Sequence, residues 1–212
     1  MFLYPKGPRP SRSPGGLELE RFEGRVGYLS SIKASLAFSS ILFFGSALAA
    51  YYFSDRIPID IIEVFRRAFG DIKELDPVQL MLFIFFNNSM KSLMVILLGP
   101  ALGIVPFFFT VMNGGILGLA IGRVAESRGI AFALAAILPH GILEIPAIIA
   151  SSAIGFRLAW EVLRKIFSGG SVLRELRRGF RFFLLRVIPL LFIAAFIEAF
   201  ITPAIALLAS RP

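Results

Sequence analysis

Five stretches of the chain are apolar for about twenty residues or more, and charged residues gather between them. They are Leu29–Phe53, Pro77–Leu98, Ile104–Val124, Ile130–Phe156 and Leu184–Leu208. About 20 helical residues cross the roughly 30 Å hydrocarbon core of a bilayer, so each stretch predicts a transmembrane helix. The fold class is therefore all-α, a polytopic membrane protein of five spans. Between the first two runs, Ile61, Ile62, Phe65, Phe69 and Ile72 recur at helical spacing with charges opposite, which predicts an amphipathic helix lying in the interface. Between the last two, a pair of basic amphipathic stretches is joined by Ser168-Gly169-Gly170. Trp160 and Phe167 suit headgroup-level anchors there. Arg164, Lys165, Arg174, Arg177 and Arg178 either meet anionic lipid headgroups or form a solvated loop that sets topology. Within the fourth span Pro139 lacks the N–H of a continuous helical ladder, which predicts two half-helices broken at Pro139-His140-Gly141.

Composition agrees with the membrane reading. Of 212 residues 57% are hydrophobic and 23 are Phe, with a mean hydropathy of +0.79, too apolar for one soluble core. A single integral membrane domain is expected over 29–212, after a polar cytoplasmic tail over 1–28 that lacks the apolar centre of a cleavable signal peptide. The net charge of +8 does not indicate nucleic acid, because Lys and Arg cluster between the apolar runs, where they act as topology determinants. With the N-terminus inside, fourteen fall on the inner side and seven on the outer, with Lys91 inside a span. That bias predicts a multi-pass cell-membrane protein with a cytoplasmic N-terminus and the C-terminus outside. The absence of Cys excludes disulfides, iron–sulfur ligation and thiol nucleophiles. A single His excludes a multi-histidine metal site, and no metal or other cofactor is expected.

The spans carry residues that a bilayer makes expensive. An ionisable group at its centre costs about 2.5–3.5 kcal/mol on insertion scales and usually faces the bundle interior or a watery cavity. The second span holds Asn87, Asn88, Ser89 and Lys91, the third Thr110 and Asn113, the fourth His140 and Glu144, the fifth Glu198. Asn87 and Lys91, like His140 and Glu144, are four apart and share a helix face. Lys91 is a counter-ion for either Glu144 or Glu198. Asn87, Asn88, Thr110 and Asn113 are equally read as interhelical hydrogen bonds worth about 0.6 kcal/mol each; the carboxylates point more strongly to a pathway. Gly114, Gly115, Gly118 and Gly122 offer a close-packing face, suited to a neighbouring helix or to homo-oligomerisation. An enzyme is not expected. His140-x-x-x-Glu144 lacks the second histidine of a zinc-protease helix, and no serine nucleophile elbow is present.

Four motifs carry a resemblance: "FFNN" at 85–88, "MNGGILG" at 112–118, "LPHGILEIPA" at 138–147 and "IEAFITP" at 197–203. Together they resemble the stage II sporulation protein M family of integral membrane proteins, over roughly residues 79–208. The resemblance implies, as one possibility, a membrane scaffold for cell-wall hydrolases during engulfment. The chain shows no extracellular domain to grip such enzymes, so that role is not carried over. What the resemblance implies for the site is a set of residues: Asn87, Asn88, Asn113, His140, Gly141, Glu144 and Glu198. Two function classes follow. One is a non-enzymatic scaffold or permease-like subunit, with membrane-protein partners or further copies of itself, organised by the intramembrane Asn/His/Glu cluster. The other is a transporter or channel for a cation, proton or small solute through that cluster.

Overall fold

Asp76 sets the start of the second span. Its Oδ1 accepts hydrogen bonds from the backbone N–H groups of Val78 at 2.9 Å and Gln79 at 3.0 Å, and the Gln79 side chain accepts in return from the Asp76 N–H at 3.2 Å. This reciprocal cap, with Pro77 at the first helical position, satisfies donors that a helix start leaves open. The structure, a computed structural model, describes residues 27–58 and 75–209. Five helices among them are long and apolar enough to cross a membrane. After a single turn, Tyr28–Ser31, come α1 (Lys33–Tyr52), α2 (Pro77–Leu97), α3 (Ile104–Arg128) and α4 (Ile130–Ser168). The fifth span joins α5 (Val172–Phe182), α6 (Ile188–Phe196) and α7 (Thr202–Ala209) through two π-helical segments, Phe183–Val187 and Ile197–Ile201. The amphipathic helix predicted around 61–72, and all but the last two residues of the predicted tail, lie outside the described residues.

The predicted break in the fourth span is corrected. α4 runs without interruption through Pro139 and Pro146. A proline removes one ladder hydrogen bond, and a membrane helix held by its neighbours tolerates that loss. The irregularity falls in the fifth span instead. Each π segment ends two residues before a proline, Pro189 or Pro203, and contains the carbonyl four residues before it, that of Leu185 or Ala199. In an α-helix the proline ring would collide with that carbonyl, and the wider π turn moves it aside.

α4 has 39 residues, about 58 Å at 1.5 Å per residue, well beyond the thickness of a bilayer. Its C-terminal end therefore projects past the hydrocarbon core, and α5 returns beside it. The two basic stretches are thus continuations of the fourth and fifth spans, turned at Gly169, where a φ of +80° ends α4 in the left-handed region that glycine occupies without strain. Trp160 and Phe167 are exposed there, as are Lys165, Arg174 and Arg177.

Packing is the reverse of a soluble core. Large apolar side chains face outward, Ile41 at 71% exposure and Leu48 at 69%, whereas Ser39, Ser92, Thr110, Ser151 and Ser152 are buried. Lipid supplies an apolar surround, so association rests on close fit and polar satisfaction rather than on hydrophobic transfer. Thr110 and Ser151 donate to carbonyls one turn back in their own helices, Pro106 at 2.6 Å and Ala147 at 2.8 Å. Around α4 the core gathers Ile96, Ile154, Leu158, Phe183, Val187 and Leu191. Gly114, Gly118 and Gly122 lie flat against α1 and the turn after it, Gly118 on the Ala47 carbonyl. That part of the glycine face is consumed inside the chain and is not free to pair two copies.

At the end of the bundle where α4 and α5 meet, buried charges are paired. Glu161 accepts from Arg164 at 2.8 Å and Arg157 at 2.9 Å; Glu175 receives the Tyr28 hydroxyl at 3.0 Å, with Arg178 at 3.5 Å and Arg157 at 3.8 Å. The Arg178 guanidinium also sits over the Tyr28 ring. Two of the arginines predicted to meet lipid, Arg164 and Arg178, are thus engaged within the protein. Burial, reinforced by the neighbouring Glu175 carboxylate, pushes the Tyr28 phenol well above its ordinary range. Above about pH 10 the unfolded chain therefore gives up a proton that the folded chain keeps. This contribution to stability is complete below that pH and is lost as pH rises beyond it. Denaturant titrations in micelles from pH 8 to 11 should show the alkaline loss in the wild type and its reduction in Tyr28→Phe. Identical profiles would refute the assignment.

Candidate functional site

The polar residues of four spans converge on one cavity of about 540 Å³. α2 contributes Asn87, Asn88 and Lys91, α3 contributes Asn113, α4 contributes His140, Gly141 and Glu144, and the fifth span contributes Glu198. These are eight of the residues singled out in the sequence; Ser89 and Thr110, also singled out there, do not line the cavity. The four-residue spacings place Asn87 with Lys91, and His140 with Glu144, on the faces that α2 and α4 turn toward one another. Phe43, Leu117 and Ile148 complete the wall with apolar surface.

Hydrogen bonds order the site. Asn87 Nδ2 donates to Asn88 Oδ1 at 3.3 Å, and Asn88 Nδ2 donates to Glu144 Oε1 at 2.9 Å. Lys91 lines the same cavity as Glu144 and Glu198. Asn113 spends its N–H on the Phe109 carbonyl at 2.7 Å in its own helix. Glu198 lies in the second π segment and lines the same cavity as Glu144. One ligand atom from each of His140, Glu144 and Glu198 lies within 4.8 Å of the others. Two carboxylates and an imidazole so close in an apolar bundle are mutually costly unless a proton, a cation or donors stand between them.

Gly141 is not required by packing. A β-carbon there would meet only the Ile137 and Ile145 side chains, at 3.5 and 3.6 Å. Thr202 is the site residue that the sequence reading missed. Its hydroxyl donates to the Ile197 carbonyl at 3.2 Å and lies 3.3 Å from His140 Nδ1. The sequence signal available for it was its place in "IEAFITP", four residues after Glu198 and therefore on the same helical side. The expectation of no metal rested on counting histidines, and a mixed set of one imidazole and two carboxylates does not need a second one.

A family model of stage II sporulation protein M matches residues 37–203. The chain belongs to that family. The match runs from within α1 to the start of α7 and covers more than the four motifs. Over 124 residues the chain is also 33% identical to an uncharacterized protein of Methanocaldococcus jannaschii, a stretch covering 57% of this chain and 70% of that protein. No solved structure matches the chain. Membership in this family and five membrane-length apolar helices make this an integral, multi-pass membrane protein.

Proposed function

We propose that this family member moves a cation or protons through the cavity lined by His140, Glu144 and Glu198, with its N-terminus on the cytoplasmic side of the cell membrane. The observation that carries the reading is the cavity itself. A cluster serving only as interhelical glue would close on itself, whereas here ionisable groups from three spans border about 540 Å³ of space. Intramembrane carboxylates facing such a space are the usual furniture of ion and proton pathways. At the inner end, a smaller pocket of about 290 Å³ bordered by Arg178, Arg181 and Arg186 suits the headgroup of an anionic lipid. The scaffold reading is second and is favoured by one feature: Trp160, Leu163 and Phe167 form an exposed row at helical spacing on the projecting end of α4. A membrane-protein partner or another copy of the chain would cover it.

Flux in proteoliposomes tests the proposal. Wild-type protein should pass protons or a monovalent or divalent cation, and Glu144→Gln should lower that flux by about tenfold or more, as expected for an ionisable pathway group, while eluting as folded protein. No flux of any of these ions from folded wild type, or undiminished flux in folded Glu144→Gln, would overturn it and leave the scaffold.

A further inference from the structure

We propose that His140, Glu144 and Glu198 form a binding site for a divalent transition-metal ion, with Thr202 and Asn88 as positioning residues. The inference rests on the cation-pathway reading of the same cavity and names its ligand class.

Geometry comes first. Three ligand atoms within 4.8 Å of one another surround a point no more than about 2.8 Å from each. Bonds from zinc to imidazole and carboxylate are roughly 2.0–2.2 Å, so contraction by less than 1 Å per side chain closes the site. The atoms come from α4 and the fifth span, and the cavity beside them leaves room for water to complete the coordination.

Outer contacts orient two of the three ligands. With the Thr202 hydroxyl given to the Ile197 carbonyl, its oxygen is free to accept from His140, and the proposed site uses the tautomer in which Nδ1, 3.3 Å away, carries the ring proton. Nε2 then keeps its lone pair for a metal. On Glu144, Asn88 occupies Oε1 and leaves Oε2 uncommitted by that bond. Imidazole held by an outer hydrogen bond and carboxylate held by an amide are the arrangement that metal sites use to fix ligand direction.

Ligand chemistry then selects the ion. Magnesium and calcium seek oxygen from six or more ligands, and an imidazole nitrogen contributes little to either. One nitrogen and two carboxylates suit zinc, manganese, iron or cobalt in the divalent state. A dication between the two glutamates also relieves their mutual repulsion.

The test uses the full chain in detergent micelles, free of any histidine tag, with Co2+ and Zn2+ as the probes. One Co2+ per chain should bind with a visible ligand-field band, zinc should displace it, and about a hundredfold excess of Mg2+ should not. Because His140 is the single histidine of the chain, imidazole scattering in the X-ray absorption of bound zinc reports on that residue alone. His140→Ala and Glu198→Gln should lose binding. Thr202→Val, which removes no ligand, should weaken it about 10–100-fold and guards against variants that merely fail to fold. Absence of stoichiometric binding, equal displacement by Mg2+, bound zinc without imidazole, or full affinity in folded Thr202→Val would each overturn the site. Flux without metal binding refutes the metal site and spares the pathway. Metal binding without flux does the reverse.

Discussion

Gly118→Leu is expected to destabilise the bundle by about 3 kcal/mol, the upper end of what overpacking a close contact usually costs. At this position α3 touches α1 backbone to backbone. A β-carbon would overlap the Ala47 carbonyl oxygen and come within 2.9 Å of the Tyr51 nitrogen, and neither can rotate away as a side-chain tip would. Close contact of this kind is what holds helices together where lipid already solvates their apolar surface. Gly115 is three residues from Gly118 in the same span, yet nothing lies within 4 Å of a β-carbon built there. Gly115→Leu should therefore change stability by no more than about 0.5 kcal/mol, as at ordinary outward positions. Unfolding free energies measured in the same micelles would decide the matter. Equal losses for the two variants would mean that glycine content, rather than the α1–α3 contact, sets the cost.

Glu175→Ala should cost more, roughly 3–5 kcal/mol, the range for removing one partner from a buried ion pair. Only 4% of Glu175 is exposed, and its carboxylate faces Tyr28, Arg157 and Arg178 at once. Truncation leaves two guanidinium groups near one another, with Arg157 Nε already lacking a hydrogen bond. It also unties the turn before α1 from α5, so the loss should appear as earlier proteolysis near Tyr28 as well as a lower unfolding free energy. A cost below about 1 kcal/mol, the level of a surface pair, would show that water or lipid headgroups replace the carboxylate without strain.

The apolar runs were legible because twenty lipid-facing residues leave a plain signature, and α1 to α4 begin within a few residues of where the pattern places them. Boundaries failed where polarity returned before the helix ended: the stretch from Arg157 to Ser168 read as a separate basic amphipathic segment, yet Arg157, Glu161 and Arg164 pair along one continuous α4 that runs to Ser168. The kink was misplaced for a related reason. Pro139 and Pro189 are indistinguishable as residues, and only the surroundings decide whether a helix absorbs the lost bond or widens into a π turn. The resemblance at the four motifs was sound, since the family match contains all of them. Thr202 passed unnoticed because a threonine in a span most often bonds its own helix; its second contact, to His140 62 residues away, has no local trace.

By itself the sequence determined the class of the protein, its five spans and eight residues worth watching, seven of them polar. Hydropathy and intramembrane charge are local costs, and a single chain records them without any knowledge of its neighbours. Only the tertiary structure decided that those residues border one cavity, that Asn88 serves Glu144, and that His140 stands with two glutamates. Each of these is a distance between helices set by packing, with Gly118 against Ala47 and a π turn at Glu198 among its causes, and distances of that kind leave no period in the chain.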